Sequence, residues 1–161
     1  MKIKLTAGSV LILLVILQPT LMSWFRIFGV EPDLVLAAVV IIGLSLDLKW
    51  VLLFSYAAGL LKDSLGILPL GVNTLVLPLL GFAANRLSRR MVIEADYVIA
   101  TVVFIAAVSH NLIISLLLVI MGLNISMGMS SRIILIGAIY TTSLFLLFSK
   151  LIRLSGIKFR S

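Results

Sequence analysis

The sequence predicts an all-α, polytopic integral membrane protein with six transmembrane helices, and three observations carry that prediction. Of 161 residues, 62% are hydrophobic and 12% charged, with a mean hydropathy of +1.29; a soluble core of this size could not hide so much apolar surface. The apolar residues fall into six runs separated by short polar, glycine- or proline-containing stretches. The basic residues sit at the ends of those runs, as a multi-spanning topology requires.

The first helix covers residues 5–28. Lys2 and Lys4 followed by an apolar run resemble a secretory leader, but no small-x-small cleavage pattern precedes Trp24 and Arg26, so the segment reads as an uncleaved span. Gln18 and Pro19 interrupt it and predict a kink, and Trp24 and Phe25 suit the membrane interface. Glu31-Pro32-Asp33 opens the second helix, 32–47, with proline and acids placed where a first turn tolerates and favours them. Asp47-Leu48-Lys49 separates it from the third, 50–65. The apolar parts of these two helices are short, about twelve residues at about 1.5 Å each against a hydrocarbon core about 30 Å thick. The fourth helix, 69–86, carries Pro78 and Gly81 and should bend there. A polar loop with Arg86, Arg89, Arg90, Glu94 and Asp96 leads to the fifth helix, 97–121, and an uncharged connection to the sixth, 131–152. Residues 1–161 make one transmembrane domain.

Counting Lys and Arg in alternate loops orients the chain. With both termini in the cytoplasm, the inner segments hold Lys2, Lys4, Lys49, Arg86, Arg89, Arg90, Lys150, Arg153, Lys158 and Arg160, against Arg26, Lys62 and Arg132 outside. Fusing the second and third segments would bury Asp47 and Lys49 in hydrocarbon, at a cost of several kcal/mol.

The same distribution argues against nucleic acid as the partner of a chain with net charge +7, because the cations line no single face. The absence of cysteine excludes disulfides, thiolate metal sites and cysteine nucleophiles. One histidine and six acids leave no nucleophile–base pair and no paired carboxylates to assemble, so no catalytic residue, metal or cofactor is predicted.

Polar chemistry concentrates in residues 59–74. Ser55, Gly59 and Asp63 recur every four residues, one helical stripe with room for a close neighbour and a carboxylate at its end. Gly66, Pro69 and Gly71 supply the turn that follows. Asp63 could accept backbone N–H groups of that turn, pair with Lys62 or Arg26, or meet a partner. His110, inside the fifth helix, borders a stripe of Ala100, Ala107, Asn111 and Ser115. It reads either as neutral interhelical glue or as a ligand or partner contact. The pairs Gly137/Thr141 and Ala138/Thr142 suit close packing inside the bundle or against a second copy of the chain. Arg86, Arg89 and Arg90 either fix orientation or meet anionic lipid or an acidic cytoplasmic partner.

The basic N-terminus, the interrupted first helix, Pro32-Asp33, Gly59-x-x-x-Asp63 and Leu70-Gly71-Val72 before a long helix together resemble the MreD family of bacterial rod-shape-determining proteins. The resemblance implies a non-catalytic scaffold of the cell-elongation machinery in the cytoplasmic membrane. It also implies binding to the single-pass protein MreC and, indirectly, links to MreB filaments and to the RodA and penicillin-binding-protein synthases of peptidoglycan. It further implies a six-helix fold similar to the substrate-binding subunits of energy-coupling-factor transporters, and marks Pro32, Asp33, Ser55, Gly59, Asp63, Gly66, Gly71 and Asn73 as the partner-binding or structural motif. The alternative is such a vitamin-binding subunit itself, with Asn73, His110, Asn111 and Asn124 as pocket groups, although the first helix lacks an Ala-x-x-x-Ala docking pattern.

Overall fold

The computed structural model describes residues 2–22, 31–66, 69, 71–90, 96–122 and 127–154. These form six helices with no strand among them: α1 (Lys2–Met22), α2 (Leu34–Ser45), α3 (Leu48–Leu65), α4 (Val72–Ser88), α5 (Asp96–Ile120) and α6 (Met127–Leu154). Trp24, Phe25, Arg26, Glu94, Asn124, Lys158 and Arg160 lie outside the described residues.

Several helix ends differ from the sequence expectation, each for a local reason. α1 runs on through Gln18 and Pro19 to Met22. α2 starts two residues after Pro32 because Asp33 is its N-cap, the carboxylate accepting the Leu36 N–H at 3.0 Å. Asp47 is the N-cap of α3, so Leu48 and Lys49 belong to that helix and only two residues separate it from α2. The longer α3 has 18 residues. α4 begins at Val72 rather than at Pro69, since Gly71 adopts φ +103°, a left-handed conformation in which a side chain would be strained.

α2 is apolar on all sides and is the central helix; it packs against each of the other five. Val35, Leu36, Val39 and Val40 are buried there with Val51 of α3, Leu77 of α4, Val103 of α5 and Ala138 of α6. The α5–α6 hairpin meets the first four helices through α2 and α4. Large apolar side chains point outward on the other helices, among them Leu13, Leu53, Leu79, Leu116 and Leu147, each more than half exposed. Tyr97–Ile120 is long and apolar enough to cross a membrane, while Thr6–Gln18, Leu34–Ser45 and Ile134–Leu147 are shorter apolar stretches.

Glycine sets the closest approaches. A Cβ on Gly59 would lie 2.6 Å from the Asn73 carbonyl oxygen and 2.7 Å from Thr74 Cα, so α3 and α4 touch backbone to backbone. Gly43 of α2 meets α4 in the same way, its Cβ position 2.9 Å from the Gly81 carbonyl oxygen.

Candidate functional site

The close contact at Gly59 brings Asp63, one turn further along α3, against the start of α4. A helix start exposes N–H groups with no intrahelical partner, and a carboxylate satisfies them well. Asp63 Oδ1 accepts from the Asn73 N–H at 3.0 Å and from Asn73 Nδ2 at 2.9 Å. Its Oδ2 accepts from the Gly71 N–H at 3.0 Å, the Thr74 N–H at 2.8 Å and the Thr74 hydroxyl at 2.6 Å. Asp63 is 3% exposed, and five donors compensate its buried charge. Of the options open in the sequence, the capping arrangement is the one present, and Lys62 points elsewhere.

Exchanging Asp63 for asparagine tests that cap. An amide offers one acceptor oxygen and turns an NH2 group toward N–H donors, so the Asp63→Asn bundle should lose about 3 kcal/mol, read as a lower thermal midpoint in detergent.

Lys62 forms an ion pair with Asp33, whose Oδ2 accepts from Nζ. The two side chains are 19% and 14% exposed, so the pair is mostly removed from solvent. Gln18 of α1 braces it from the other side: its Nε2 donates to Asp33 Oδ1 at 3.4 Å and its Oε1 accepts the Val35 N–H at 3.1 Å. The Asp33 N–H donates to Thr141 Oγ1 of α6 at 3.0 Å. One carboxylate and its own backbone thus tie α1, α2, α3 and α6 together.

His110 of α5 joins this cluster to the Asp63 cap. Its Nε2 lies 3.3 Å from Asn73 Oδ1, and its Nδ1 lies 3.8 Å from Asp33 Oδ2 and 3.5 Å from Asn111 Oδ1. The result is a continuous polar seam through Gln18, Asp33, Lys62, Asp63, Asn73, Thr74, His110 and Thr141 that touches all six helices. In an apolar interior such a seam specifies one packing arrangement, because any other leaves charges unpaired.

The remaining predicted residues fall around the seam. Pro32 is buried beside Asp33. Ser55, also buried, donates to the Val51 carbonyl at 2.6 Å and faces Gly81 of α4. Gly66 is the exposed C-cap of α3. Ser115 is half-buried further along α5. Arg86, Arg89 and Arg90 are exposed at the opposite end of α4, the Arg86 guanidinium lying over the Phe82 ring at 5.3 Å. Gly137 and Ala138 are buried within the bundle, as is Thr141, and Thr142 donates to the Ala138 carbonyl.

Sequence reasoning missed four contributors: Gln18, Lys62 and Thr141 as seam members, and Asn85. The last closes the other end of α2, donating from Nδ2 to the Gly43 and Leu46 carbonyls at 3.0 and 2.7 Å. An asparagine in the final turn of an apolar helix was the available signal.

The arrangement's chemistry is mutual satisfaction. Lys62 is held by a carboxylate, His110 by an amide and Asp63 by five donors, so the strongest polar groups bind one another. Comparison with curated proteins and with solved structures gives no match. The chain matches one family, described as MreD, rod shape-determining protein MreD, over residues 1–155. With that match running through every helix of the seam, the chain belongs to the MreD family, which gives it a role in determining rod cell shape.

Proposed function

We propose that this chain is a non-catalytic scaffold of the bacterial elongation machinery that crosses the cytoplasmic membrane six times with both termini inside. It binds the single-pass protein MreC, and through it helps couple MreB filaments to the RodA and penicillin-binding-protein synthases. The observation that supports this reading most is the division of labour in the bundle: polar groups face inward onto one another, while large apolar side chains face outward on five of the six helices. A surface of that kind binds other helices and lipid through packing, with small residues permitting close approach. The family itself comprises shape-determining proteins rather than a known class of enzymes.

In this reading the motif Pro32, Asp33, Ser55, Gly59, Asp63, Gly66, Gly71 and Asn73 mainly shapes the bundle that the partner recognises. Arg86, Arg89 and Arg90 lie on the cytoplasmic side against anionic headgroups or an acidic partner, and a second copy of the chain is a further candidate neighbour. The likeness to energy-coupling-factor substrate-binding subunits belongs to the same proposal. Commitment of Asn73 and His110 to Asp63 and to each other favours the scaffold over a vitamin-binding role, since both were the leading pocket groups.

Capture of the tagged chain from its native membrane in mild detergent, followed by mass spectrometry of what accompanies it, tests the proposal. Recovery of MreC is the expected result. Recovery of paired ATPase subunits with a transmembrane coupling protein would move the chain to the transporter class.

A further inference from the structure

The joint between the α5–α6 hairpin and the first four helices contains the chain's one histidine, 2% exposed. Its surroundings fix one proton and leave a second undecided. Asn73 Nδ2 donates to the Asp63 carboxylate, which can only accept, so Asn73 presents its oxygen to His110. His110 Nε2 must therefore carry hydrogen. Nδ1 faces Asp33 Oδ2 at 3.8 Å and the Asn111 side-chain amide at 3.5 Å.

Two arrangements satisfy Nδ1, and they differ by one proton and the turn of one amide. With a bare Nδ1, Asn111 must present its NH2 group as donor. With a protonated Nδ1, Asn111 presents oxygen, as it stands here, and the imidazolium also attracts Asp33. Burial and the Lys62 ammonium act against that proton, whereas the carboxylates of Asp33 and, through Asn73, Asp63 act for it. The other facing groups are Gln18 of α1, Thr74 of α4 and Thr141 of α6, none of them ionisable in this range. The Asp33–Lys62 pair keeps some exposure, which gives protons a route from the bundle end where α3 stops and α4 starts.

We propose that His110 and Asn111 form a proton-binding joint. Uptake of a proton at Nδ1 turns the Asn111 amide, adds a charged contact from α5 to the N-cap of α2, and so tightens the docking of the α5–α6 hairpin. The proton shares Asp33 Oδ2 with Lys62, so the same event loosens the hold of α2 on the end of α3.

A single histidine makes the test direct. Ring-15N NMR of the full chain in detergent or nanodiscs, labelled at histidine, should show the Nε2–H tautomer at alkaline pH and a doubly protonated ring at lower pH while the protein stays folded. Amide exchange in α5 and α6 should slow through the same transition. An Asn111→Leu chain, which loses the donor of the neutral arrangement but keeps Asp33, should hold the proton to higher pH. A ring that stays neutral down to the pH at which the fold is lost overturns the proposal. So does an Nδ1–H tautomer, or a titration that leaves hairpin exchange and the Asn111→Leu midpoint unmoved.

Discussion

Asp33→Ala should remove most of the stability of the bundle. The side chain does three things at once: it caps α2 at the Leu36 N–H, balances Lys62, and holds the Gln18 amide. Loss of an N-cap costs about 1 kcal/mol. Leaving a mostly buried ammonium without its counter-ion costs about 3–5 kcal/mol, and a domain's whole stability is about 5–15 kcal/mol. Thermal unfolding in detergent, followed by size-exclusion chromatography, should show the variant largely aggregated or strongly destabilised. Asp47→Ala is the matched control, because that N-cap is exposed and makes no side-chain cap bond; exposed charges contribute little, and its midpoint should move far less.

Gly59→Ala should have the second largest effect, although it adds one methyl group. The new Cβ would sit 2.6 Å from a backbone oxygen and 2.7 Å from a backbone carbon, and neither can rotate away. Overpacking in a dense core costs about 1–3 kcal/mol, and more when backbone must shift. Here the shift separates α3 from α4 one turn from Asp63, so the five bonds of the cap stretch with it. Gly8→Ala offers the comparison: its Cβ would meet only the Phe54 ring at 3.1 Å, and a ring can give way. The thermal midpoint should fall steeply in the first variant and slightly in the second.

The helices and the α3–α4 turn were legible in the sequence for local reasons. Apolar runs, the four-residue spacing of Ser55, Gly59 and Asp63, and the turn glycines all act within about ten residues of one another. The small-residue stripe does face a close neighbour, and that neighbour is α4 of the same chain. The seam was not legible, since its decisive pairs span long separations: Lys62 to Asp33 over 29 residues, His110 to Asn73 over 37 and Asp33 to Thr141 over 108. Read within its own helix, His110 has no titratable companion, and Lys62 looks like an ordinary helix-end cation. Only the packing of α2 at the centre places a carboxylate beside each. The late starts of α2 and α4 follow similarly from side chains acting as caps, one of them supplied by another helix.

The scaffold account is tested most directly by native mass spectrometry of the chain released gently from membranes in which it is co-expressed with MreC. It predicts a complex containing the 17.5 kDa chain and MreC, with no small molecule retained when the two are separated. A chain that ignores MreC but keeps a tightly bound small molecule would contradict it and point to the vitamin-binding alternative.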